Sequence, residues 1–384
     1  MRIVITSNYE IGNETGSAKV AEVMSSKLSK NNEVFFICLG KYFEEIKKSN
    51  SLTIVTIPSV VIKNIYFPII TPFLMYQVFK KIDSFSPDVV HAQNSVLVSS
   101  MARMWSNINS VPFVVTFHHI PTEAVEHIIP SLSKTKFANL VQDIYEEITL
   151  KNFLQNTNLV VAQNHRIAKS IRSIYKNVKI EIINNGVEIK HLNKIKPNIN
   201  YKRVNFTFLG SYNIRKNQKL LVKVFKHLPS NYHLKIYGKI STGKEYYDQL
   251  QVYIMENKIK NVELNDFEND LIKIFKKTDY FVSASKKEAQ CLSIIQAMAA
   301  GKPVIGLSNE TIDDLVNKDN GLALRKNTSP NVFAQNILKF VKNINYTILS
   351  NRNKKDSIEF DIDNVVLKTQ QTYKRLCQSY SKNC

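Results

Sequence analysis

An alternation that runs through the chain twice limits its folds more than any other feature. Short apolar runs rich in β-branched residues, Ile3–Thr6, Val34–Cys38, Thr53–Ile57, Val89–His91, Phe113–Phe117 and Leu159–Ala162, read as strands. Helical spacing lies between them: Ala18–Ser29 puts Val20, Val23, Met24 and Leu28 on one face. Near-continuous apolar strands interleaved with helices predict a parallel sheet covered on both faces. The pattern stops over Glu188–Lys202, which is polar, contains Pro197 and has no periodicity. It then restarts, with strands at Asn205–Leu209, His233–Tyr237, Val262–Leu264, Tyr280–Ser283 and Pro303–Ile305 and a helix at Gln218–His227. A chain of 384 residues suits two domains of such size. The expected boundaries are 1–187 for the first α/β domain, 188–203 for a linker and 204–360 for the second. The tail, 361–384, reads as an amphipathic helix over Ile362–Tyr380, expected to pack back on the first domain.

Composition excludes several classes. At 44% hydrophobic and 22% charged, the chain is neither disordered nor fibrous. Cys38, Cys291, Cys377 and Cys384 are scattered and form no C-x-x-C pair, which argues for free thiols in a reducing cytosol. The net charge of +20 is unevenly placed: Lys and Arg exceed Asp and Glu by 19 to 14 over residues 1–185 and by 33 to 18 beyond. Such basicity suits nucleic acid, an anionic membrane or an anionic substrate. AT-rich coding, which favours Lys and Asn, gives the same excess with no partner at all. No helix-turn-helix, RRM, KH or zinc signature is present, so nucleic acid is not the expected partner. The start, Met1–Ser7, is too short in apolar residues for a signal peptide. The most apolar stretch, Ile54–Phe79, is broken by Pro58, Lys63, Pro68 and Pro72 and is no membrane span. Its Val60–Tyr76 part reads either as a buried strand with its connection or as an element that dips into a membrane interface.

Open parallel sheets bind ligands beyond the carboxyl ends of their strands, so the loops after strands hold the candidates. After the first strand, Thr15-Gly16-Ser17 precedes a helix; Gly16 there lets a phosphate approach the helix N-terminus, or simply turns the chain. His118 ends a strand, where it can donate a hydrogen bond into a cleft or serve as a capping or core histidine. Glu123 and His127 have metal-like i, i+4 spacing, but no H-E-x-x-H occurs and no metal is expected.

Several segments, in order, resemble the family-four retaining glycosyltransferases of the GT-B fold. Ile182-Ile183-Asn184-Asn185-Gly186-Val187-Glu188 is similar to the P-N-G-V-D signature that closes their first domain. Phe206–Gly210 with Lys216-Asn217 resembles the G-R…K-N/G phosphate motif. Ser283–Glu288 through Gln296 and on to Ile305 resembles the E-x7-E region, and Asn320-Gly321-Leu322 a later N-G turn. The resemblance implies two Rossmann-like, doubly wound parallel-sheet domains facing a central cleft. It implies hexosyl transfer with retention, without a metal or other cofactor, from a nucleotide diphosphate-sugar co-substrate. Catalytic roles fall on His118 and Glu288: His118 would reach the sugar and stabilise developing charge, and Glu288 would bind sugar hydroxyls. Gly16, Ser211, Arg215, Lys216, Leu292, Ser293 and Gln296 would line the donor and phosphate site, with Lys216 a point charge on the diphosphate.

Three positions depart from the pattern. Ser211 replaces an arginine, Gln296 replaces the second glutamate, and Cys291 replaces a glycine. They keep open an alternative reading, a catalytically weakened homologue acting as a partner or scaffold subunit. His118-His119-Ile120-Pro121-Thr122-Glu123 and Glu288-Ala289-Gln290-Cys291-Leu292-Ser293 are similar to variants common in members that glucosylate diacylglycerol or related lipids. The resulting expectation is transfer, with UDP-glucose the family-level donor, to a membrane lipid or glycan. The place expected is cytoplasmic, peripheral on the inner face of the cell membrane.

Overall fold

The structure is a computed structural model that describes residues 1–13, 15–62, 65–95, 97–118, 120–123, 136–197 and 199–381. The chain forms two compact units, Met1–Gly186 with Ile362–Cys384, and Val187–Asp361. Each is built on its own sheet.

The first unit has strands β1 (Arg2–Glu10), β2 (Glu33–Gly40), β3 (Glu44–Ser49), β4 (Leu52–Ile62), β5 (Ile65–Pro68), β6 (Val89–Gln93), β7 (Phe113–Phe117), β8 (Leu159–Ala162) and β9 (Ile180–Ile182). Their order is β3-β4-β2-β1-β6-β7-β8-β9, with β5 on β4. All pairs are parallel except β3–β4 and β4–β5. The order reverses between β1 and β6, and their register runs to Ser7 opposite Gln93. Ile3, Ile5, Val34, Phe36, Val89 and Val114 are buried, which explains why these strands read as unbroken apolar runs.

The tail is the helix Ile362–Ser381 and belongs to this unit. Ile362, Val365, Val366, Thr369 and Tyr373 recur at helical spacing and are all buried. Ile362 explains the glycine of the N-N-G-V signature. A Cβ on Gly186 would lie 2.4 Å from Ile362 Cδ1 and 2.8 Å from its Cα, so only glycine lets the helix start pass.

The second unit has β10 (Val204–Leu209), β11 (Tyr232–Tyr237), β12 (Val262–Asn265), β13 (Tyr280–Ser283), β14 (Val304–Leu307) and β15 (Gly321–Leu324). They form one parallel sheet of order β12-β11-β10-β13-β14-β15. Numbered from its first strand this is 3-2-1-4-5-6, the order of dinucleotide-binding sheets, with its reversal between β10 and β13.

Two expectations change. Residues 188–203, read as a linker, belong to the second unit and are anchored in it by three side chains: Ile189, Leu192 and Ile195 are buried with Phe275, Phe281 and Ile294. Polar neighbours hid these three anchors because they follow no strand or helix period. Val60–Tyr76 is not a buried strand with its connection. It is the outer half of a β4–β5 antiparallel hairpin leading into the helix Pro72–Phe85. Val60, Val61, Phe67, Phe73 and Tyr76 stay 45–70% exposed.

Candidate functional site

At the reversal point of the second sheet, β10 ends at Leu209 and β13 at Ser283. The chain leaves β10 through Gly210 and a turn that places Lys216 beside Glu288, which follows β13. Lys216 Nζ donates to Glu288 Oε1 at 2.5 Å, and both side chains are nearly buried, 13% and 7% exposed. Burial alone would neutralise them, but each charge keeps the other. Burial pushes the Glu288 carboxyl up; Lys216 and Arg215 outweigh it and hold the group below its usual range. Likewise burial pulls Lys216 down, and Glu288 more than restores it.

Around this pair the backbone is firmly held. Lys216 N–H donates to Asn213 Oδ1, and Lys286 N–H donates to the Arg215 carbonyl at 2.9 Å, joining the two loops. Asn217, at φ 56°, donates its side-chain amide to the Ala284 carbonyl. Glu288 N–H is taken by Glu310 and Cys291 N–H by the Thr311 hydroxyl. Neither partner was a candidate from the sequence; both open the helix Glu310–Leu315 after β14, which no spacing links to Glu288.

The helix Leu292–Ala299 starts at the same place. The N–H groups of its first residues, Leu292 and Ser293, have no carbonyl within the helix to bond, which suits an anion. Ser293 spends its hydroxyl proton on the Leu209 carbonyl, tying this helix to the end of β10. Leu292, Ser293 and Gln296 share the partly exposed side of a helix whose Ile294, Ile295, Ala297 and Met298 are buried. Ser211 is exposed, with its hydroxyl accepting from Asn213, and Arg215 is half-buried. Cys291 has φ −88°, a backbone any residue adopts, and its side chain is buried with Ile294 and Ile295. The bulk that replaces glycine there packs inward, and burial raises the thiol's pKa, so it is not a reactive nucleophile.

Gly16 and His118 lie in the first unit. Gly16 opens the helix Gly16–Leu28 and is exposed. His118 follows β7 and sits in a chain of buried polar groups. Its Nε2 meets Gln93 Oε1 at 2.7 Å; Gln93 Nε2 faces His91 Nε2 at 3.4 Å and Met24 Sδ at 3.9 Å. His91 is held further by Thr116 and by Tyr373 of the tail helix. Because the Gln93 amide oxygen only accepts, this network assigns the proton to Nε2 of His118 and leaves Nδ1 as an acceptor. Burial lowers His118 to about 4. In this arrangement one ring nitrogen of His118 is engaged by Gln93, and burial pushes the ring toward its neutral form. Glu123 has its backbone described but not its side chain, and His127 lies outside the described residues.

Two family models divide the chain. Residues 15–191 match Glycosyltransferase Family 4, and residues 190–356 match Glycosyl transferases group 1. The chain belongs to the GT-B glycosyltransferases. Its fold is that of sucrose-phosphate synthase from Thermosynechococcus elongatus, with TM-score 0.78 at 16% identity over 98% of this chain and 99% of that one. HepE of Anabaena, solved with UDP-glucose, has TM-score 0.72 at 15% identity over 98% of this chain and all of that one. By sequence the glycosyltransferase is 26% identical to an uncharacterized glycosyltransferase of Methanocaldococcus jannaschii over 59% of this chain. The match spans 60% of that archaeal relative. It is 21% identical to the alpha-monoglucosyldiacylglycerol synthase of Streptococcus pneumoniae, over 82% of this chain and 73% of that one.

The structure thus brings Ser211, Arg215, Lys216, Glu288, Leu292, Ser293 and Gln296 of this glycosyltransferase to one edge of one sheet, and His118 and Gly16 to the edge of the other. Sequence reading missed Asn309, Glu310 and Thr311, and in the first unit Gln93 and His91. A capping signal was visible in Asn309, whose side chain accepts from Thr311 and Ile312 N–H as an N-cap does.

Proposed function

We propose that this glycosyltransferase moves a hexose, with retention and without a metal, from a nucleotide diphosphate-sugar to a membrane lipid or glycan. The observation that carries the reading is the Lys216–Glu288 pair at the reversal point of a 3-2-1-4-5-6 sheet. An ammonium has three N–H donors and only one is on Glu288, so two remain for diphosphate oxygens. Glu288 uses Oε1 on Lys216, and its Oε2 accepts from a sugar hydroxyl. A cation for phosphate and a carboxylate for sugar in contact fit the junction of a nucleotide-sugar, where the bond to be broken lies. As the sugar leaves, charge grows on the diphosphate; Lys216, Arg215 and the first N–H groups of the helix Leu292–Ala299 face that charge and stabilise it.

UDP-glucose is the proposed donor, supported by the HepE complex, and a glycolipid the proposed acceptor, supported by the pneumococcal relative. The exposed Val60, Val61, Phe67, Phe73 and Tyr76 suit peripheral contact with the cytoplasmic membrane face. Among the described residues no helix is long and apolar enough to cross a membrane.

The test is a thermal-shift series with UDP, GDP, UDP-glucose, UDP-N-acetylglucosamine and GDP-mannose, followed by transfer from the nucleotide that binds. A ligand at 100 times its Kd stabilises by about 2.7 kcal/mol, a rise of several degrees. The expected result is a shift with uridine nucleotides, and transfer to diacylglycerol or its glucoside that Glu288→Gln abolishes. Transfer unchanged by Glu288→Gln takes Glu288 out of the site, and binding without transfer to any acceptor selects the scaffold reading left open by Ser211 and Gln296.

A further inference from the structure

The loop that carries Arg215 and Lys216 is held by a side chain with no role in the site described above. Of residues 210–217 only Tyr212 is buried; Ser211 before it and Ile214 after it are exposed. The ring of Tyr212 joins the core of the second unit and meets Tyr247 edge-on, with 5.1 Å between centroids. Its hydroxyl lies among strand ends. It is 2.8 Å from the Asn265 carbonyl and 3.1 Å from the Ile236 carbonyl, and it accepts from Asn265 N–H at 3.1 Å. Burial pushes this phenol up, so it keeps the proton it donates. One side chain from the loop after β10 thus reaches the last turn of β11 and the final residue of β12. Two glycines make room for it. A Cβ on Gly238, just after β11, would lie 3.2 Å from the ring and 2.4 Å from the Gly210 carbonyl oxygen. One on Gly243 would lie 2.7 Å from Tyr212 Cβ and 2.2 Å from its carbonyl oxygen. The loops after β10 and β11 therefore meet at backbone distance around Tyr212. Its neighbours extend the hold. The Ser211 carbonyl accepts from the Gln218 amide at 2.8 Å, and Asn213 Oδ1 accepts from Lys216 N–H at 2.9 Å.

We infer that Tyr212 is a positioning residue for the diphosphate: its hydroxyl fixes the loop against β11 and β12, and so fixes where Arg215 and Lys216 stand. This rests on the reading of that edge as the nucleotide-sugar site. Phenylalanine would fill the same space in the core, so packing alone does not ask for a hydroxyl. What the hydroxyl adds is a set distance between the loop and two neighbouring strands. That distance matters to a ligand that must touch loop and sheet edge together. A chain with Ser211 in place of an arginine leans on the remaining two cations, and an error of about 1 Å in placing such groups costs about a hundredfold in rate.

The test compares Tyr212→Phe with Ile337→Val, both in the full chain. Ile337 is buried in the same core on the helix Pro330–Asn343 and measures what lost stability does by itself. Each variant is expected to lower Tm by about 2–4 °C. Without any ligand, hydrogen exchange of the amides in 210–217 is expected to quicken about tenfold in Tyr212→Phe, while that of β10 holds. UDP binding is expected to weaken about tenfold in Tyr212→Phe and uridine binding less than twofold. With a nucleotide-sugar, the donor KM rises and the acceptor KM stays. In Ile337→Val the ratio of UDP to uridine affinity stays that of the parent. Loop exchange unchanged by Tyr212→Phe, equal losses of UDP and uridine, or the same loss of UDP in Ile337→Val overturns the inference and makes Tyr212 a core residue only. Faster loop exchange in Tyr212→Phe, in a protein whose parent binds no nucleotide diphosphate, instead overturns the proposed function and leaves the hold of Tyr212 on the loop standing.

Discussion

Both units reverse strand order beside their first strand, and both place polar residues at that reversal, yet the two edges are chemically opposite. In the second unit the edge is charged and its polar groups are paired: Lys216 holds Glu288, Glu310 holds the Glu288 backbone, and Ser293 holds Leu209. In the first unit the edge is neutral, with His118 and His91 both driven far below their ordinary range by burial, and several amides unpaired. One architecture thus carries a preset electric field at one edge and unsatisfied hydrogen bonds at the other. The charged edge holds its ion pair closed without a ligand; the neutral edge leaves buried polar atoms unbonded, at a cost in stability.

The largest break in this contrast comes from removing one partner of the ion pair. Lys216→Met leaves the Glu288 carboxylate buried beside Arg215 alone, which is expected to cost the second unit about 3–5 kcal/mol, read in guanidinium unfolding. Adding Glu288→Leu is expected to recover most of that loss, because no charge is then stranded. A Lys216→Met protein as stable as the parent would mean that the pair is not closed in solution. In ligand binding, Lys216→Ala should weaken UDP far more than uridine; equal losses would take Lys216 away from the phosphates.

Acid separates the units next. Burial puts folded His118 at about 4 and His91 at about 3, against 6.5 when exposed, so the unfolded chain binds more protons in between. Stability from these two groups is complete above pH 6.5 and lost as pH falls toward 4, roughly 2–4 kcal/mol by pH 5. Glu288 responds in the same direction but lower on the scale: held below 4.5, it contributes above that value and loses its share only as pH falls beneath it. His233 in the second unit is also lowered by burial, but it is largely solvated and its effect is small. Hydrogen-exchange protection of β6 and β7 should therefore fall between pH 7 and 5 while that of β10 and β13 holds. His118→Gln should flatten part of the first response; equal loss in both units would break the contrast.

How much of this was legible in the sequence follows the same division. The strands were readable because burial on both faces makes them continuous apolar runs, as in Val34–Cys38 and Phe113–Phe117. In the second unit Lys216 and Glu288 stood out through the family resemblance of the short motifs that hold them, and the structure brings the two side chains into contact. What failed were features set by contacts distant in sequence. Ile189, Leu192 and Ile195 look like linker residues until Phe275 and Phe281 close over them. The charge state of His118 depends on Gln93 and on its burial, neither visible in the H-H-I-P string. Gly186 stood in the sequence only as part of a signature; its steric reason is Ile362, more than 170 residues on.

The smallest expected effect sharpens the contrast from the charged side. Gln296 is the place where this chain has an amide and the family pattern a carboxylate. It lies on the partly exposed side of the helix Leu292–Ala299, one turn from Leu292 and Ser293, so a charge there stays solvated and costs the fold little. If its side chain meets the ribose of the donor, Gln296→Glu replaces a neutral hydrogen bond with a charge-assisted one, and binding of UDP should tighten about threefold to tenfold with Tm of the empty protein nearly unchanged. The gain must appear with uridine as well as with UDP, since a carboxylate helps the hydroxyls and repels the phosphates. Tightening of uridine with weakening of UDP would place position 296 nearer the diphosphate than the ribose. No change in either would mean that the helix presents its N–H groups to the nucleotide and this side chain to solvent, and the charged edge would then rest on Lys216, Glu288 and Arg215 alone.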